Sequence, residues 1–97
     1  MVDYNLIYKT EFFDSITNYD NNFIDLIRNR ISYLKKDPYK YSFISSYRLD
    51  LFTIKVTSKE NDIKIIFKVI GKDVFVLFSY SLDLTHKQIR QIFIDLE

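Results

Sequence analysis

The sequence predicts an α+β fold: one domain over residues 1–97, in the order β-α-α-β-β-β-α, with a helical hairpin and a C-terminal helix around a mostly antiparallel four-stranded sheet. Three observations predict it. After one short alternating strand, the apolar residues recur at helical spacing twice, then with period two over three runs, then at helical spacing again. Ninety-seven residues leave room for a single core. A helix pair segregated to one side of a mostly antiparallel sheet is one of the few arrangements that buries the apolar faces of such a series.

Tyr4, Leu6 and Tyr8 alternate with Asn5, Ile7 and Lys9, which reads as the first strand. Thr10 is placed as N-cap of the next helix, with Glu11 in the first turn, where a carboxylate suits the positive end of the helix. Phe12, Phe13, Ile16 and Tyr19 follow at helical spacing, and the helix breaks near residues 18–20. Asp20 is then N-cap of a second helix with the stripe Phe23, Ile27, Ile31 and Leu34, widened by Ile24. Pro38 stops it by residue 37, because the residue before a proline avoids helical geometry.

Residues 39–46 show no period and read as a connection. From residue 48 the period is two, with Phe52, Ile54 and Val56 as the core face. Residues 59–62 read as a polar turn. Ile63, Ile65, Phe67 and Val69 form the next apolar face, opposite Lys64, Ile66 and Lys68. Gly71 and Lys72 make a tight hairpin. Residues 73–81 are the last strand, apolar on both faces in the middle and therefore placed centrally in the sheet. Thr85 and Gln88 have the spacing of a capping box, and Ile89, Ile92, Phe93 and Leu96 form one face of a terminal helix.

Composition excludes several kinds of chemistry. Without Cys there is no disulfide scaffold, zinc ribbon, iron–sulfur site or thiol nucleophile. One Gly cannot build a phosphate-cradling glycine loop, and one His cannot make a His-rich metal site, so no metal or cofactor is expected. The N-terminal stretch has neither a basic n-region nor an apolar h-region, and no apolar run is long enough to span a bilayer. A cytoplasmic protein without membrane contact is expected.

The net charge of +1 conceals a segregation. Residues 28–72 carry eleven basic residues against four acidic ones, while the segments on either side are acidic. A basic middle can present a basic face to a polyanion. Within it, Arg48, Lys55, Lys64 and Lys68 lie on or beside paired strands; Tyr80 ends the last strand, and His86 and Lys87 open the last helix. A triad of Ser79, Asp83 and His86 can be drawn, but no nucleophile elbow supports it.

RNA cleavage without metal needs a base for the 2′-hydroxyl, a cation for the charge that develops on the phosphoryl oxygens, and an acid for the leaving 5′-oxygen. Lys64 and Lys55 can supply the charge. His86 has the unperturbed pKa suited to proton transfer near neutrality. Tyr80 can stack or orient a base, and Arg48, Lys68 and Lys87 can follow the RNA backbone. The same lysines also fit the solvated side of a sheet buried on one face, and the residues alone leave both readings open.

Three stretches carry a family resemblance. Leu51-Phe52-Thr53-Ile54-Lys55-Val56, Ile63-Lys64-Ile65-Ile66-Phe67-Lys68-Val69 and the run from Gly71 to Tyr80 resemble consecutive strands of the RelE/ParE superfamily of type II toxin–antitoxin toxins. The likeness is nearest to the RelE-like and HigB-like members that cleave mRNA. It implies a microbial RNase-like fold and a ribosome-dependent, metal-independent mRNA endoribonuclease. It also implies a cognate antitoxin as partner, and a homodimer or a toxin–antitoxin hetero-oligomer as assembly. Lys55 matches a strand position that is basic in many members, Lys64 the arginine position that stabilises phosphate, and Tyr80 an aromatic that ends the last strand. Two departures stand out: residues 81–85 carry Asp83 and no base, and Thr53 stands where some members have another lysine. They leave open a catalytically inert or gyrase-targeting binding protein.

Overall fold

The computed structural model describes residues 3–44 and 51–83, together with 87, 88, 90 and 91. The elements are β1 (Asn5–Tyr8), α1 (Thr10–Ile16), α2 (Asn21–Ser32), 3-10 turns at Tyr33–Lys35 and Pro38–Lys40, β2 (Ser42–Ile44), β3 (Leu51–Thr57), β4 (Asp62–Ile70) and β5 (Asp73–Ser81). Strand order is β1-β5-β4-β3-β2, with β1 parallel to β5 and every other pair antiparallel. This is the expected α+β arrangement with one addition. The stretch read as an aperiodic connection contains β2, a three-residue edge strand paired to β3 through Phe43 and Phe52. A strand that short is too brief to display a period. Residues 87, 88, 90 and 91 are helical, as a terminal helix requires, whereas Thr85, His86 and the expected apolar positions of that helix lie outside the described residues.

The two helices start differently. The Asp20 side chain accepts from the Phe23 N–H at 2.8 Å and caps α2, a contact worth about 1 kcal/mol. Thr10 does not cap α1: Lys9 is the capping residue, with no side-chain hydrogen bond, and Thr10 is the first helical residue. Lys9 N–H bonds the Val76 carbonyl, so the end of β1 is still held to β5 at the place where the helix begins. Helix α2 ends at Ser32, and Leu34 keeps its place in the stripe from the 3-10 turn that follows.

The stripe Phe23, Ile27, Ile31 and Leu34 is buried, joined by Phe12 and Ile16 from α1. It packs on Ile54, Val56, Ile63, Ile65, Phe67, Val74 and Val76, with Phe52 partly buried beside them. Helix α1 lies over β5 and α2 over β3. A second set, Leu51, Thr53, Ile66, Phe78 and Tyr80, is buried on the other face of the sheet. β5 is an interior strand as expected, although β4 occupies the middle of the sheet.

The β4–β5 hairpin turns through Gly71, whose φ of +60 is the left-handed conformation that tight hairpin turns demand at their first position. Further along, the pairing passes from Phe67 with Val76 to Ile66 with Phe78 and skips Leu77. This bulge changes the face served by β5. Before it, Val74 and Val76 point toward the helices; after it, Ser79 and Ser81 do, and Phe78 and Tyr80 point the other way. Ser15 of α1 confirms the orientation. Its hydroxyl donates to the Phe12 carbonyl and accepts from the Ser79 N–H at 3.0 Å, with the Ser79 hydroxyl 2.8 Å away.

Replacing Ile27 by Asp is expected to unfold the protein, because it buries an unpaired charge at the centre of the helix–sheet contact. Circular dichroism on heating checks this: a cooperative melt at the wild-type temperature would contradict the packing described.

Candidate functional site

The site is built by strand register. Lys55 of β3 sits directly opposite Lys64 of β4, and Lys64 directly opposite Tyr80 of β5. Cross-strand partners share a face, with Cβ atoms about 5 Å apart, so the three side chains form one row on the face away from α1 and α2. Two lysines directly opposed are locally unfavourable, since like charges at such positions repel. Lys64 has no ion-pair partner among the described residues, while Lys55 pairs with Asp62 at 3.9 Å.

Two contributors were missed in the sequence. Asp62, read as the end of a polar turn, is the first residue of β4. Its carboxylate accepts from the Thr57 hydroxyl at 2.7 Å and pairs with Lys55. Its position, two residues before Lys64 in an alternating strand, was a usable signal. Arg30, read as an off-stripe helix charge, donates to the Lys55 carbonyl at 3.4 Å. β2 pairs with β3 only as far as Thr53, and Arg30 closes on the edge beyond it. A hollow of about 420 Å³ lies there, lined by Leu26, Arg30, Lys55, Val56 and Thr57. No sequence signal linked Arg30 to Lys55.

The other expected site residues divide. Lys68 shares the face of Lys64 but lies four residues along β4 beside Phe75, roughly 13 Å away at strand rise, and is therefore not part of the row. Lys87 is exposed on a helical turn. Arg48 and His86 lie outside the described residues. Ser79 faces α1, on the opposite side of the sheet from Tyr80, so Ser79 and the lysine row are not neighbours. Thr53 is buried opposite Ile66, a position with no room for a solvated charge.

Tyr80 is buried at the end of the row. Its residue is only 8% exposed and its ring lies against Phe78, leaving little surface on which a base could stack. Burial pushes its phenol above the ordinary value of 10.0. At the end of β5 the Ser81 hydroxyl donates to the Asp83 carboxylate, which places an acid where the related pattern would have a base.

A separate apolar hollow of about 410 Å³ opens on the helix side, among Tyr8, Phe12, Phe13, Ile16, Ile24 and Arg28. It is remote from the row. Burial also raises the Tyr8 phenol, against a smaller opposing pull from the Arg28 charge, and raises Tyr19, with Asp83 adding to the effect.

These three phenols give a pH dependence of definite sign. A phenol whose pKa is raised on folding keeps its proton while the unfolded chain loses it, so stability is full below about pH 10 and falls as pH rises through the folded values. Urea midpoints are expected to fall between pH 9 and 11, and less steeply for Tyr80→Phe. An equal fall in both proteins would count against the burial of that hydroxyl.

No family model matches the chain, and no curated protein matches it in sequence. Among solved structures it is similar to the free state of a mutant E. coli toxin RelE, with a TM-score of 0.73 and 13% identity over 99% of this chain and 98% of that one. Identity that low speaks for the fold alone, and the coverage extends it over nearly the whole chain: this protein has the RelE fold.

Proposed function

We propose that this protein is the toxin of a type II toxin–antitoxin system, acting in the cytoplasm as a ribosome-dependent, metal-independent mRNA endoribonuclease. The observation that carries the reading is the Lys55–Lys64–Tyr80 row on a RelE fold. Opposed lysines cost stability where they stand, and a shared phosphate removes that cost. In the reaction, the 2′-oxygen attacks phosphorus as its proton is taken up, and the 5′-oxygen leaves with a proton. Lys64, between Lys55 and Tyr80, offsets charge on the phosphoryl oxygens. Lys55 and Arg48 hold the RNA backbone, with Lys68 and Lys87 further along it. Tyr80 contributes a neutral hydroxyl as hydrogen-bond donor, and His86 transfers the proton. The partner in the resting state is a cognate antitoxin that covers the basic sheet face, in a hetero-oligomer with the toxin.

A second reading is favoured by the acid at the end of β5 and the burial of Tyr80: a RelE-fold protein that binds gyrase or another partner without cutting RNA. Expressing the chain alone separates the two. Under the first reading growth slows and mRNA is cut on ribosomes; under the second, growth slows or continues with mRNA intact.

Lys64→Ala is expected to remove growth inhibition and lower cleavage by ~10²–10³, by analogy with loss of a transition-state donor, while the fold is retained. His86→Gln keeps size and polarity but not proton transfer, and should lower cleavage with unchanged RNA binding. Cleavage rates on programmed ribosomes measure both. Full activity in Lys64→Ala would remove the row from the mechanism.

A further inference from the structure

We propose that Asp62 is a built-in competitor for the phosphate-binding position on Lys55, so that the row holds free single-stranded RNA weakly and favours a strand positioned by further contacts. The inference rests on reading the row as an RNA-phosphate site and adds a residue that sets its affinity.

The geometry is that of a tethered counter-ion. Asp62 begins β4, and its main-chain carbonyl accepts from the Leu82 N–H at 2.9 Å, which anchors the residue beside the end of β5. One carboxylate oxygen accepts from the Thr57 hydroxyl at 2.7 Å. The other lies 3.9 Å from the Lys55 ammonium. Asp62 pairs with Thr57 in the ladder, two positions from the Lys55–Lys64 pair and therefore on the same face. The carboxylate thus takes up part of the charge that a phosphate would meet.

The two holds on Asp62 are unequal. The Thr57 bond has ordinary hydrogen-bond length, whereas the ion pair is longer than a hydrogen bond and lies between half-exposed side chains, where such pairs are weak. A phosphodiester oxygen within reach of both lysines can therefore take Lys55 from Asp62 while Thr57 keeps the carboxylate in place. A strand that makes no other contacts must overcome this competition at each encounter. One already positioned elsewhere does so with its phosphate held in register.

The test is equilibrium binding of a fluorescent, 2′-O-methylated oligoribonucleotide of about ten residues, chosen so that it cannot be cleaved, across a salt series. Asp62→Asn keeps the shape and the acceptor for Thr57 but removes the charge, and Asp62→Ser serves if that variant melts early. Either is expected to tighten binding several-fold at low salt and to steepen the dependence of log K on log salt by about 0.7, the slope for one more phosphate contact on a single strand. Lys55→Met in the Asp62→Asn background should erase the gain. Glu60→Gln removes one negative charge from the neighbouring turn and should change neither quantity. Binding that weakens in Lys64→Ala but is unmoved by Asp62→Asn overturns this inference and leaves the phosphate site standing. An equal gain in Glu60→Gln also overturns it, as an effect of net charge alone. Binding indifferent to Lys64→Ala overturns the phosphate site itself.

Discussion

Between the Phe67–Val76 and Ile66–Phe78 pairs, β5 spends one residue, Leu77, without a partner on β4. Side chains alternate with period two, so a single unpaired residue exchanges the faces of everything beyond it. Val74 and Val76 contribute to the helix-side core, and without the bulge Phe78 and Tyr80 would continue that series. With it, Ser79 meets Ser15 of α1 and Tyr80 comes opposite Lys64. The buried apolar surface and the charged row are thus built from the two halves of one strand, and each depends on where the extra residue falls.

The charged row is costly to the fold, which is part of what makes it informative. A surface sheet gains most from opposite charges across strands, and here β3 and β4 oppose two lysines. The neighbouring Asp62 and Thr57 moderate the repulsion without removing it, because Lys64 has no ion-pair partner among the described residues. Arg30 adds a further cation at the uncovered edge of β3. The adjoining positions on the same face, Thr53, Ile66 and Phe78, are buried and uncharged, and they separate the row from Lys68 further along β4.

Much of this was legible in the sequence because it follows from local periodicity. The Asp20 cap, the stripe Phe23, Ile27, Ile31 and Leu34, the alternating faces of β3 and β4 and the glycine at the hairpin depend on residues within a few positions of one another. Alternation also placed Lys55 and Lys64 on the faces of their strands opposite the helix-side core. The capping residue of α1 was misassigned because Lys9 is held by a main-chain bond to Val76, far away in sequence. β2 was missed because three residues are too few to show a period, and its partner is a separate segment of the chain.

By itself, then, the sequence determined the fold class, the helix-side core and the charged positions, since side-chain period and turn chemistry are properties of short segments. Tertiary structure decided how those segments are set against each other. The register that opposes Lys55 to Lys64, the bulge that turns Tyr80 toward them, the burial that raises its phenol and the approach of Asp62 and Arg30 to Lys55 all require strands and helices already docked. A one-residue change in pairing leaves every local pattern intact and exchanges every face, which is why the site was decided at the level of the assembled sheet.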